Sequence, residues 1–188
     1  MESNLEITAI ETPIKIVYGG FWERFGALFL DGIAYGLIII PLTWFNLFTW
    51  KSQMINVLIS IIAICYKPFL EYKWGATLGK LALNLKVVNR DLQKANGIEV
   101  LKRNSFFIGN SIFSLIMTCI MFNNPDFQFV TTFSDYMEFS KENREIISTL
   151  ISLMFGILLI VDVCFMIDDV QKKTLHDRFG KTFVIRSK

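Results

Sequence analysis

Four long apolar stretches constrain the fold of this chain more than any other feature: Phe25 to Phe48, Met54 to Leu70, Phe106 to Phe122 and Ile146 to Ile167. Each is close to the roughly 20 apolar residues that a helix needs to cross a hydrocarbon core, with the middle two at the short end. Composition agrees, because only 19% of the 188 residues are charged and the mean hydropathy is +0.45, against about 25% charged in an average soluble domain. The expected fold is an all-α polytopic membrane protein with four transmembrane helices. It comprises one domain over residues 19–187 behind a leader over residues 1–18. The first stretch follows an acid-containing leader and shows no small-residue cleavage pattern, so it reads as a retained span rather than a signal peptide.

Charge placement gives an orientation, since lysine and arginine accumulate on the cytoplasmic side of a membrane protein. A four-span path puts 16 of the 19 basic residues on one side and only Lys51, Lys141 and Arg144 on the other. The expected location is the bacterial cytoplasmic (inner) membrane, with both termini and the central loop cytoplasmic. Trp22 and Trp74 fall at the cytoplasmic ends and Trp44 and Trp50 at the outer ends, where indoles concentrate between hydrocarbon and headgroups. The net charge of +2 thus reads as topology, and no run interleaves bases with aromatics as a nucleic-acid binder would. Cys65, Cys119 and Cys164 lie in different spans without CxxC spacing and read as free buried thiols. His176 is the only histidine, which excludes a histidine-rich metal cluster, and no cofactor is expected.

Inside the apolar runs stand two carboxylates, Asp31 and Asp162. A charge near a bilayer centre costs about 2.5 to 3.5 kcal/mol on insertion scales, so such residues usually face protein and carry function. Asp31 lies about 10 Å beyond Arg24 along a helix axis and on nearly the same face, and Asp162 roughly 8 Å inside the same membrane surface. Asn110, Ser114 and Thr118 form a polar stripe in the third span, with Tyr66 and Lys67 near the same level in the second. Gly32 and Gly36 make a GxxxG pattern beside Asp31, which predicts close packing against another helix or subunit.

The loop after the second span contains Gly75 to Lys80, which fails as a phosphate loop: three residues separate the glycines where four are needed, and Leu81 replaces the Ser or Thr. A turn and short amphipathic segment is the better reading. Leu85 to Asn89 and Ile98 to Leu101 flank a polar stretch ending in Asn96-Gly97, which predicts a small β-hairpin-like element. The tail segment Thr182 to Ile185 is a candidate third strand.

Arg24-x-x-Ala27-x-x-x-Asp31, Thr77-x-Gly79-Lys80 leading to Val87-Val88, Arg103-Asn104, and His176-Asp177 with Thr182 and Val184 together resemble the RDD family. That family is named for one arginine and two aspartates, and the resemblance implies that these are Arg24, Asp31 and Asp177. It covers roughly Gly19 to Ile185. Leu81 and Asn84 stand where relatives often have a basic residue and a glycine, and Phe179-Gly180-Lys181 where they favour Ala-Gly. The resemblance implies a small multi-spanning membrane protein, with monovalent cation and proton antiport proposed for some members and accessory roles for others.

Two functional readings follow. In the first, Asp31 and Asp162 face each other across the bundle and handle a proton or monovalent cation, with Arg24 and Asp177 as further candidates and Asn110, Arg103 and Ser114 as a supporting polar layer. In the second, Asp31 pairs with Arg24, Arg103 or Arg178, Asp162 bonds to Asn110 or a serine, and the protein is a non-transporting accessory or scaffold. His176-Asp177-Arg178 reads as an interfacial ion pair rather than a proton relay. A homo-oligomer in the lipid bilayer is expected, and no nucleophile sits at motif spacing from a base, so an enzyme is not.

Overall fold

The computed structural model describes residues 16–143 and 146–187. The leader over 1–15, with Lys15, and also Arg144, Glu145 and Lys188, lie outside the described residues. Four helices long and apolar enough to cross a membrane run over Phe21–Trp50, Gln53–Trp74, Ser105–Asn123 and Ser148–Ile167.

Two of these helices run past their apolar cores because groups at their ends extend them. Helix α1 (Phe21–Phe45) starts four residues before Phe25, where the Glu23 carboxylate accepts the orphaned Gly20 N–H at 3.1 Å. It passes through Pro41 and ends in a wider π-turn over Asn46–Trp50. Helix α2 (Gln53–Trp74) is capped by the Ser52 hydroxyl and stopped at Gly75, whose φ of 72° favours glycine. Helix α5 (Ser105–Asn123) packs on α2, where Asn56 donates to Thr118 Oγ1 at 3.1 Å. The last apolar helix, α7 (Ile146–Asp168), has outward Leu159 and Ile160 that are 65% and 66% exposed. A face of that kind needs a hydrocarbon solvent or a partner. All four tryptophans are about half exposed or more and sit near helix ends.

The remaining chain on the basic side folds as a small cap. Its parts are helix α3 (Leu78–Ala82), strand β1 (Leu85–Asn89), helix α4 (Gly97–Arg103), helix α8 (Leu175–Gly180) and strand β2 (Thr182–Arg186). β1 and β2 pair antiparallel with Val87 opposite Val184, and residues 17–19 join the free edge of β2 through Gly19 N–H to Val184 O and Arg186 N–H to Val17 O, both 2.9 Å. Leu85, Val87, Ala95, Val100 and Val184 form the core of this cap, with Ala27 of α1 buried among them.

The expected hairpin is corrected here. β1 pairs with the tail, not with Ile98 to Leu101, which is helical in α4. Asn96-Gly97 is a helix start rather than a turn: Asn96 Oδ1 accepts Glu99 N–H at 2.9 Å and Glu99 returns the bond to Asn96 N–H at 2.8 Å. The reversal lies earlier, where Asn89 Oδ1 accepts from Asp91 and Gln93 N–H.

On the opposite side, Phe127 is fully buried between Phe122 and Phe139, and helix α6 (Phe133–Glu142) covers it. The Asp135 carboxylate accepts the backbone N–H groups of Thr131 and Thr132 and the Thr131 hydroxyl. The N–H groups, Thr131 first, hold its carboxyl below the ordinary 3.8. A depressed carboxyl stabilises the fold above its unfolded value and loses that contribution as pH falls through the folded one. Amide protection over residues 133–142, corrected for intrinsic exchange, should therefore be full above about pH 4 and should fall at lower pH.

Candidate functional site

The buried charges of this protein converge where the cap meets the bundle. The Arg24 side chain leaves the first turn of α1, donates Nε–H to Gly19 O at 3.0 Å, and reaches Asp177 Oδ2 with Nη1 at 2.5 Å. Arg103, at the end of α4, binds the other oxygen of the same carboxylate and also donates to Thr182 Oγ1 at 3.0 Å. Asp177 is completely buried. It also closes the capping box of α8, accepting Thr174 N–H at 3.2 Å while Thr174 Oγ1 accepts its N–H at 3.3 Å. One carboxylate thus joins α1, α4 and the tail.

A second buried carboxylate extends the network. Glu71, near the end of α2, accepts from Lys80 through Oε1 and from Asn104 Nδ2 at 2.8 Å through Oε2, with Arg103 Nε 3.3 Å away. Arg103 therefore lies between two carboxylates, which balances its charge where water cannot. Burial pulls the Lys80 ammonium down from 10.5 to about 7, opposed first by Glu71. Burial also lowers Arg103 below the usual guanidinium range, again opposed first by Glu71.

Asp31 takes a different set of partners. Its Oδ1 accepts Gly79 N–H at 2.7 Å and its Oδ2 accepts the Thr77 hydroxyl at 2.5 Å. Thr77 occupies the N-cap of α3 yet makes no side-chain cap bond. The Asp31 carboxylate, arriving from another helix, takes the orphaned amide that a cap would normally satisfy. Gly79 makes this approach possible, because a Cβ there would lie 2.0 Å from Ala27 O and 2.8 Å from Asp31 N. Within the single chain the close approach to α1 is thus made at Gly79, and the Gly32/Gly36 pair packs on no other helix. An added Cβ at Gly32 meets nothing within 4 Å, and at Gly36 it meets only Ile40 of the same helix.

Asp162 of α7 is bound by His176 through both the backbone N–H at 3.0 Å and Nδ1 at 2.7 Å. His176 Nε2 stands 3.9 Å from Asp177 Oδ1, so this pair adjoins the arginine node. Burial pushes the His176 imidazole below its ordinary value, against the bond to Asp162. Arg178 pairs instead with Asp169 at 2.8 Å.

The expected partners of the intramembrane acids are therefore corrected. Asp31 bonds to Thr77 and Gly79 rather than to an arginine or to Asp162, and Asp162 bonds to His176 rather than to Asn110 or a serine. Asn110 and Ser114 are exposed in the single chain, whereas Arg103 is buried between Glu71 and Asp177. Glu71 and Lys80 are site residues that the sequence reading misses. Their signal is a carboxylate near the end of an apolar helix with a lysine nine residues on. Among the described residues, no group of three or more His, Cys, Asp or Glu could hold a metal ion.

The model of the RDD family matches residues 18–181. The chain is also 32% identical over 73 residues to the "Uncharacterized protein YckC" of Bacillus subtilis (strain 168), a stretch that is 38% of this chain and 47% of that protein. It thus aligns with about half the length of this curated relative. No solved structure matches the chain.

The geometry ranks two substitutions. Asp177→Asn leaves two buried guanidiniums without their shared anion and should cost about 3 to 5 kcal/mol. Asp31→Asn keeps an acceptor for Gly79 N–H and a polar partner for Thr77, and should cost about 1 to 3 kcal/mol. Melting in detergent should place Asp177→Asn well below Asp31→Asn, with Gly79→Ala also strongly destabilised.

Proposed function

The chain belongs to the RDD family, and on that footing we propose that it is a multi-pass integral protein of the bacterial cytoplasmic membrane, with its basic side cytoplasmic and a non-transporting accessory or scaffold role. Four helices of spanning length and the placement of 16 of 19 basic residues support the topology. The observation that carries the role is the double clamp on Asp177: Arg24 of the first apolar helix and Arg103 before the third both end on one tail carboxylate. Such an arrangement fixes a cytoplasmic platform rigidly on a membrane bundle, and it commits the name-giving Arg24 and Asp177 to each other. Asp31 is committed as well, since both of its oxygens are held by donors from the loop. An acid that passes an ion must exchange its ligands, and these would have to leave together.

A second reading is favoured by one contact. Asp162 and His176 are 15% and 25% exposed at the side chain, partly open where the fully buried Asp177 and Glu71 are not. A titratable pair at the seam between helix and cap could pass a proton in exchange for a monovalent cation.

Proteoliposomes containing the purified chain and a trapped pH dye separate the two. The accessory reading expects no dissipation of an imposed pH gradient on adding sodium, potassium or lithium. It also expects Arg24→Ala to lower melting temperature and cellular abundance. Cation-dependent flux that is lost in Asp162→Asn while the melting temperature is kept would overturn it in favour of transport.

A further inference from the structure

We propose that the ledge formed by α4 and α8 is a binding surface for anionic phospholipid, with Ile98, Leu101 and Phe179 entering the acyl region and Lys102 and Lys181 holding the phosphate. The proposal rests on the multi-pass reading above and deepens it by naming a ligand for the cap. Chain connectivity sets the level of the ledge: α5 begins at Ser105, directly after Asn104 caps α4, so α4 lies at the point where that helix meets the membrane surface.

Helix α4 has two faces. Val100 and Arg103 are buried against the cap, whereas Ile98 and Leu101 are 66% and 57% exposed, with Lys102 exposed beside them. In water such apolar side chains in this position would be a liability, but at an interface they are an anchor. Phe179 continues the stripe. It is 59% exposed, and its ring meets Phe106 in the first turn of α5 at 5.8 Å, which puts it at the same depth.

Gly180 joins the two helices into one ledge. A Cβ there would come within 2.7 Å of Arg103 Cβ and 2.9 Å of Glu99 O, so the end of α8 rests directly on α4. Lys181 follows at once, in the left-handed conformation at φ 55°. Among the described residues neither Lys102 nor Lys181 has an ion pair, and the nearby Glu99 is occupied in its capping box. The ledge therefore offers positive charge next to apolar side chains, which is complementary to an anionic headgroup above its acyl chains.

The contact of α3 with α1 supports this depth. Gly79 abuts Ala27 and Asp31, which lie about 7 and 13 Å along the helix beyond the interfacial Trp22. Leu78 and Leu81 of the same short helix are 42% and 37% exposed. Part of the cap is thus seated below the headgroup level rather than above it.

The test uses the full chain in nanodiscs of phosphatidylcholine with or without phosphatidylglycerol, extracted into detergent, with retained lipid counted by native mass spectrometry. Phosphatidylglycerol should be retained in preference. The preference should fall about five-fold for each of Lys102→Gln and Lys181→Gln, persist in the arginine variants, and change without loss of melting temperature. In parallel, Leu101→Trp in bilayers of bromine-labelled acyl chains should add a quenched component beyond that of the native tryptophans. Quenched native indoles with an unquenched Trp at position 101 would overturn the ledge while leaving the spans in place. Unquenched native indoles would overturn both. Equal retention of the two lipids, or burial of position 101 in a dimer of the chain, would also reject the proposal.

Discussion

The structure depends on one carboxylate shared by two arginines. Asp177 has no exposure, and the guanidiniums of Arg24 in α1 and Arg103 in α4 reach its two oxygens. Two cations in so dry a place are tolerable only with anions beside them, and Glu71 on the far side of Arg103, shared with Lys80, is the second. Around this alternation of charge, α1, α2, α4 and the tail are fixed in relation to one another. Weak apolar packing alone would not do so. The membrane-length helices bury little of their surface on each other, and lipid tails are as apolar as their side chains.

Polar contacts consequently do in this protein what a hydrophobic core does in a soluble one. Asp31 satisfies the start of α3, Asp162 holds α8 through His176, and Asn56 ties α2 to α5 through Thr118. The first and last of these join elements distant in sequence. Among the described residues the compact apolar core on the basic side is the small cluster around Val87 and Val184, which takes in Ala27 of α1.

Much of this was legible in the sequence for a physical reason. Length and apolarity mark a spanning helix without reference to its neighbours, so the four helices emerge within a few residues of expectation, and Glu23, Ser52 and Gly75 set three of their ends. Partner choice was not legible in that way. The depths of Asp31 and Asp162 were deduced from helical rise, but depth does not reveal that a loop such as Thr77 to Gly79 folds back to meet α1. Asn96-Gly97 shows the same limit at short range: the dipeptide suits a turn, and only Glu99 three residues on makes it a helix cap. The close approach of glycine was expected on the first span and found on the loop, because GxxxG describes a surface and not what covers it.

The order of residues along the chain gives the arginine clamp a temporal meaning. Arg24 is synthesised 153 positions before Asp177, and Arg103 also precedes its partner by most of two apolar helices. During synthesis from the N-terminus the Arg24 guanidinium must stay solvated until the tail arrives, whereas Arg103 already has Glu71 of α2 beside it. A late segment thus neutralises an early one, and the clamp cannot close before α7 has been made. A chain arrested before α8 would leave Arg24 without its carboxylate and Arg103 with Glu71 alone.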